Sequence, residues 1–195
     1  MTKSVPRPRR PARAALAAAA ALLPIAASAC GDDPFSFDWD HVPDTVVLYS
    51  MAREEPNLPT GFSFFTGAVV RIEAPNAVGT WDVALDTRDG GLVLLPPGAL
   101  GVESRARIAA LEGLALEDLR EAPSDTSVYE AIEPVPVTPG TIYVVRTHQR
   151  LGSFGTRCVY YAKAEAVDID VEGGRLTFRY IENPVCNDRN LVPPE

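Results

Sequence analysis

The sequence predicts a mainly β domain, an antiparallel sheet or sandwich-like arrangement with one or two short helices, and three observations carry that expectation. Short runs of β-branched and aromatic residues recur along residues 44–195, and such side chains fit the pleated, half-buried surface of a strand. Gly- and Pro-containing pairs punctuate those runs at turn spacing. No internal repeat and no heptad pattern runs through the chain, which leaves layered sheet as the way to enclose a core.

Taken in order, residues 45–50 (TVVLYS) form the first expected strand, and residues 54–60 a loop held by Pro56 and Pro59. Residues 62–65 and 68–73 flank Thr66-Gly67 and read as a hairpin. Alternation in WDVAL (81–85) places Trp81, Val83 and Leu85 together on a buried face. Asp89-Gly90-Gly91 turns the chain into residues 92–95, which Pro96-Pro97 stops. Between 98 and 123 helix competes with strand: LEDLR (116–120) fits a turn or two of helix closed by Pro123, and residues 108–111 fit either state. Residues 124–139, rich in Pro and Thr, read as a long surface connection. Strands return at 142–147, 158–168 and 175–181, the last two joined through Gly173-Gly174. In VDIDVE, Asp168, Asp170 and Glu172 read as a solvent face, with Val167, Ile169 and Val171 pointing inward.

An address precedes this domain. Arg7, Arg9, Arg10 and Arg13 make a basic front, residues 14–29 are an apolar run broken only by Pro24, and the run ends at Ala27-Ser28-Ala29-Cys30. Positive charge resists translocation, the apolar run enters the membrane as a short helix, and small residues fit a signal peptidase, so residues 1–29 read as an export signal. Its sixteen apolar-run residues fall short of the roughly 20 that cross a hydrocarbon core. Two processing modes fit, an A-x-A cut after Ala29 and lipoprotein processing that acylates the Cys30 thiol. The position of Cys30 directly behind the small residues favours lipidation, although Ala27 stands where lipoboxes more often carry a bulkier aliphatic residue. Each acyl CH₂ buried in the bilayer would then contribute about 0.8 kcal/mol of anchoring. The expected location is the bacterial cell envelope, lipid-anchored on its periplasmic or cell-surface face.

Residues 30–43 are polar and Pro-punctuated, the composition of a tether. Asp32, Asp33, Asp38, Asp40 and His41 lack EF-hand spacing and read as a solvated linker, so no metal site is expected. Phe35, Phe37 and Trp39 alternate with polar residues, as an edge strand docking the tether would.

Composition bounds the rest. Residues 1–29 carry five of the 18 Lys and Arg and none of the 26 Asp and Glu, leaving the remainder at 13 against 26, a net of −13. That balance argues against nucleic-acid partners and against adsorption to anionic lipid by charge alone. Once Cys30 is lipidated, Cys158 and Cys186 remain as an even pair in an oxidising compartment, where a disulfide is expected. Closing a loop of 27 intervening residues would contribute about 3.5 kcal/mol through loop entropy. Neither cysteine belongs to a C-x-x-C, and no histidine is close to Cys186 in sequence, which disfavours a metal or redox pair.

Six stretches, in order, carry a resemblance: GFSFFTGAVV (61–70), WDVAL (81–85), LEDLREAPSD (116–125), IYVVRT (142–147), YAK (161–163) and GGRLTFRY (173–180). Together the chain resembles the HmuY-like haem-binding lipoproteins of the Bacteroidetes across most of residues 61–181. The resemblance implies an all-β lipoprotein that holds a ligand or partner without performing chemistry. Members of that family ligate haem iron with a pair of side chains, often His. This chain offers only His41 in the tether and His148 after a strand, neither at a family ligand position. Met51 is an axial donor in the abstract, without a spacing that selects it. No cofactor is therefore expected, and haem stands on the resemblance alone, while His148 reads as a polar loop residue.

Enzyme signatures are missing from the sequence. Gly152-Ser153-Phe154-Gly155 lacks the G-x-S-x-G elbow, two histidines leave little for a triad, and no dinucleotide, P-loop or H-E-x-x-H motif occurs. The expected function is non-enzymatic: an envelope-anchored lipoprotein whose β domain binds a small molecule or another envelope component. A structural or protein-interaction module of an envelope complex is the alternative.

Overall fold

Twelve strands make up the described part of the chain, which the computed structural model covers as Trp39, residues 42–55 and residues 57–194. The expected signal at 1–29, Cys30, Phe35, Phe37, His41 and most of the 30–43 tether lie outside the described residues. In chain order the strands are β1 (Asp44–Tyr49), β2 (Gly61–Ser63), β3 (Ala68–Val70), β4 (Val83–Arg88), β5 (Gly91–Leu95), β6 (Arg107–Glu112), β7 (Val135–Pro136), β8 (Thr141–Arg146), β9 (Arg150–Leu151), β10 (Arg157–Cys158), β11 (Tyr161–Asp170) and β12 (Arg175–Glu182). One five-stranded sheet has the order β1-β12-β11-β8-β6 and a second the order β3-β2-β4-β5-β7, while β9 and β10 pair only with each other. Every pairing is antiparallel. Helical structure among the described residues is limited to 3₁₀ turns at Pro97–Leu100, Thr126–Val128 and Ser153–Gly155, so the mainly β expectation holds. No helix among these residues is long and apolar enough to cross a membrane.

Period-two alternation builds the core between the two sheets. On β12, Leu176, Phe178 and Tyr180 face Phe62 of β2 and the adjoining Phe64. Phe62 meets Phe178 and Tyr180 edge-on, with centroids 5.5 and 5.0 Å apart, an arrangement that sets a positive ring edge against a negative face. Val83, Leu85, Leu92 and Leu94 of the second sheet close against Ile108, Tyr143, Val145 and Ala164 of the first. The space left among these side chains is about 10 Å³, close to the smallest void that admits one water. Side chains, not a ligand chamber, fill the interior.

Both outer faces are covered as well. On the second sheet, Ala84, Val93 and Leu95 pack under Trp81 and Ala77. On the first, Ala109 and Val144 pack with Ala122, Tyr129 and Leu191. Lys163 is 1% exposed on that face, its Nζ donating to the Leu119 carbonyl at 2.8 Å. Burial pushes this ammonium below the usual lysine range.

Turn chemistry sets the register where it was expected to. Asp89 and Gly90 adopt φ of 51° and 79°, the paired positive values of a two-residue hairpin turn between β4 and β5. Gly67 (φ 59°) and Gly174 (φ 58°) serve the β2–β3 and β11–β12 connections.

Several expectations are corrected. Trp81 does not share a face with Val83 and Leu85; it packs on the outside of the second sheet. The strand begins only at Val83, because Asp82 is drawn out of the alternation by three hydrogen bonds to its carboxylate. Val167 and Val171 do not point inward, being 59% and 41% exposed. The pairing register shifts between Ala166 and Asp168, and such a bulge reverses the facing of the residues beyond it; Val171 lies past the strand end. LEDLR makes a single turn, with Asp118 N–H donating to the Ala115 carbonyl at 3.1 Å. Residues 108–111 belong to strand β6. The run expected at 158–168 divides into β10 and β11, with Val159 and Tyr160 between them.

The 124–139 connection is more structured than its composition suggests. Ile108 and Glu130 exchange both backbone hydrogen bonds, at 3.0 and 2.7 Å. Further on, β7 pairs with β5, and Tyr143 Oη donates to the Pro136 carbonyl at 2.9 Å while accepting from Thr138 N–H at 2.8 Å. Pro136 is tolerated because β7 is an edge strand, where a missing N–H leaves no ladder bond unmade.

Candidate functional site

Three elements meet at one end of the sandwich: the last residue of β12, the first of β1, and the segment before β4. Alternation along β12 carries Leu176, Phe178 and Tyr180 to the inner face and puts Glu182 at the next inward position. A carboxylate there is costly to desolvate. Burial, followed by the nearby charges of Asp44 and Asp82, pushes the Glu182 carboxyl up from 4.5 to about 7. Its Oε2 is buried and has no hydrogen-bond partner among the described residues.

Glu182 separates two adjoining recesses. The first, of about 140 Å³, is bounded by Trp39, Val42, Asp44, Tyr180 and Pro184 as well as Glu182. The indole Nε1 of Trp39 is also buried without a partner among the described residues. The Tyr180 hydroxyl is engaged with Asp44, and burial with the neighbouring acids pushes it up to about 12. Phe64, Phe65, Tyr160 and Tyr161 line the second recess, of about 80 Å³, with Thr147 at its wall. Aromatic side chains around one under-solvated carboxylate make an environment suited to a cation, since the acid attracts positive charge and the rings shield it from water. Both volumes lie well under the roughly 300–1,000 Å³ of drug-sized ligand sites.

Beside this acid runs a fully partnered network. Asp82, 0% exposed, accepts from Phe64 N–H at 2.8 Å through Oδ2, and through Oδ1 from His148 N–H at 2.7 Å and His148 Nδ1 at 2.6 Å. Arg150 Nε donates to His148 Nε2 at 2.9 Å, which leaves the ring proton on Nδ1 and sets the tautomer. The same guanidinium lies over the Phe65 ring, 4.4 Å from its centroid, and Phe65 packs on Tyr160 at 4.6 Å. Thr147 holds the segment in place by accepting from Tyr160 N–H at 2.9 Å.

His148 does lie in the loop between β8 and β9, but it is buried, at 6% exposed, and ties the two sheets together through Asp82. With Nδ1 engaged by Asp82 and Nε2 by Arg150, neither ring nitrogen has a lone pair directed at open space for iron or for a nucleophile's proton. Met51 packs beside the outer cluster of the second sheet. Ser153 and Phe154 sit in a 3₁₀ turn.

Cys158 and Cys186 stand at disulfide distance, their Cα atoms 5.0 Å apart. Asn183, 1% exposed, shapes the loop that delivers Cys186: its Nδ2 donates to the Asn190 carbonyl at 2.8 Å and its Oδ1 accepts from Val185 N–H at 2.6 Å. Cys30 lies outside the described residues. Among the described residues no group of three or more His, Cys, Asp or Glu is placed to hold a metal ion.

Wider recesses flank the 50–58 loop, of about 740 and 510 Å³. Arg53, which lines both, is already satisfied there: it donates to Glu55 at 3.1 and 2.8 Å and also to the Gly173 carbonyl. Nothing there matches the unpartnered carboxylate at Glu182.

Glu182 and Asp82 were missed in the sequence, although a signal existed. RLTFRYIE keeps its alternation to the end, so an acid occupies a core-facing position of a strand that looks finished at Ile181. No family model matches this chain, and no curated protein matches it.

Proposed function

We propose that this protein is an envelope-anchored, non-enzymatic lipoprotein whose β domain captures a small cationic group, an ammonium or a guanidinium, at Glu182. The observation that carries the reading is the buried Glu182 Oε2, an acceptor with no partner among the described residues, set between two aromatic-lined recesses. A charge-assisted hydrogen bond from a bound cation would satisfy that oxygen. Trp39, which lines the same recess, carries an Nε1 donor, unpartnered among the described residues, that could meet a polar atom carried beside the cation. The occupied nitrogens of His148 support a binding role over a hydrolytic one, since the position a nucleophile would take on Nε2 is filled by Arg150. The anchor rests on the Ala27-Ser28-Ala29-Cys30 sequence.

Thermal shift of the full chain against butylammonium and butylguanidinium tests the site. A ligand that binds only the folded state raises its apparent stability. Stabilisation at about pH 8, weakened at about pH 5.5 where Glu182 is protonated and absent in Glu182→Gln, is the expected pattern. A response identical in wild type and Glu182→Gln, or none with either cation, refutes it. Mass spectrometry of the native product tests the anchor: an acylated N-terminal Cys30 supports it and an unmodified thiol overturns it.

A further inference from the structure

The β9–β10 hairpin ends in two apolar side chains that contribute almost nothing to the fold. Leu151 is 79% exposed and Phe154 fully exposed. Phe154 also holds φ at 58°, a left-handed conformation that is strained for a bulky residue. The base of the hairpin, in contrast, is firmly fastened. Arg150 pairs with Cys158 and Leu151 with Arg157, Gly152 N–H donates to the Thr156 carbonyl at 2.7 Å, and Cys158 stands at disulfide distance from Cys186. Asn187 clamps the same base, its Oδ1 accepting from Val159 N–H at 3.0 Å and its Nδ2 donating to the Arg157 carbonyl at 3.1 Å. An apolar tip held out on an immobilised stalk is arranged for a surface outside the molecule.

Charge indicates which surface. Residues 134–164 contain four Lys or Arg and no Asp or Glu, so all 26 acids of the chain lie elsewhere. Arg150 and Arg157 stand on the two legs of the hairpin, and neither has a carboxylate partner among the described residues; Arg157 is exposed, while Arg150 donates to His148 and lies over Phe65 at the base. Apolar side chains beyond an exposed guanidinium group are the arrangement in which the former enter the acyl boundary while the latter stays at the phosphates. The remainder of the chain is strongly acidic and would be repelled by the same surface, which orients the molecule tip-first.

We propose that this hairpin is a membrane-insertion finger: Leu151 and Phe154 enter the headgroup–acyl boundary of a bilayer containing anionic lipid, with the exposed Arg157 at the headgroups and Arg150 adding positive charge at the base. The finger does not rest on the Glu182 reading or on the Cys30 anchor, although Arg150 at its base also contacts His148 and Phe65 beside the Glu182 recess.

The test is the full chain carrying Phe154→Trp, mixed with vesicles of phosphatidylcholine alone or with added phosphatidylglycerol. The expected result is a blue shift of the added indole emission, with quenching by acyl-brominated lipid that exceeds wild type and is larger in the anionic vesicles. In flotation, Leu151→Ser/Phe154→Ser should lower vesicle partitioning of a Cys30→Ser chain roughly tenfold or more, as removal of two inserted apolar side chains requires. Emission at the water-exposed wavelength with both vesicles overturns the proposal. So does a blue shift that tracks protein concentration and sedimentation rather than lipid, which would assign the tip to a second copy of the chain. Flotation that is lost with Cys30→Ser and unaffected by the tip substitutions assigns attachment to the anchor alone and likewise overturns the finger.

Discussion

Replacing Glu182 by Gln should stabilise the protein at alkaline pH and leave it nearly unchanged in acid. Below about pH 4.5 the carboxyl is protonated in both folded and unfolded chains, so substitution alters little. Between 4.5 and the folded value of about 7, the unfolded chain releases its proton while the folded one keeps it. The folded state then binds more protons, and stability falls as pH rises through that window; above it the full penalty is present. Raising a carboxyl from 4.5 to about 7 corresponds to roughly 3 kcal/mol. Because one side of Glu182 meets solvent, screening reduces the expected effect to about 1–2 kcal/mol. Urea unfolding of wild type and Glu182→Gln at about pH 4 and about pH 8 measures it, with the midpoints separating only at the higher pH. A variant equal to or weaker than wild type at the higher pH, or a Glu182 carboxyl that titrates near 4.5 by NMR, would refute the account of a desolvated acid. The same penalty links stability to the proposed site, since a cation bound at Oε2 would remove it.

Other residues give sharper structural tests. Asp82→Ala should cost about 3–5 kcal/mol by urea unfolding, because three donors from Phe64 and His148 lose one buried acceptor; a loss under 1 kcal/mol would show that the network is not coupled to folding. Reducing the Cys158–Cys186 pair should lower stability by about 3.5 kcal/mol, seen as a downward shift in Tm with reductant and no shift in Cys158→Ser/Cys186→Ser. Lys163→Ala should cost about 2–3 kcal/mol, since it opens a cavity under the outer cover and leaves the Leu119 carbonyl unpaired; calorimetry reading no change would place Lys163 in solvent. Phe62→Ala, which removes a ring packed on Phe64, Phe178 and Tyr180, should cost about 3–5 kcal/mol by chemical denaturation.

Much of the fold was legible because its rules are local. The turn at Asp89-Gly90 needs two residues that accept positive φ, the hairpin at Thr66-Gly67 needs one, and both choices are visible in the chain. Facing was legible only while the alternation was unbroken. It held along β12, where Leu176, Phe178 and Tyr180 turn inward. It failed at Val167, where an extra residue slips the register, and at Trp81, where Asp82 answers hydrogen-bond demands from other parts of the chain. Neither a bulge nor a distant donor leaves a mark in local sequence.

Residue order alone was enough to establish the strand-rich class, the turns, the even cysteine pair and the basic-apolar-small succession of the first thirty residues, because each depends on side chains within a few positions of one another. Folding in three dimensions was needed to make the loop residue His148 a buried tie, to strut one sheet to the other through residues 124–139, and to set Glu182 against Asp44 and Asp82. Those outcomes depend on which strand ends meet: Glu182 and Asp82 are a hundred residues apart in the chain, and an acid's ionisation is set by neighbours in space and by the water it has lost.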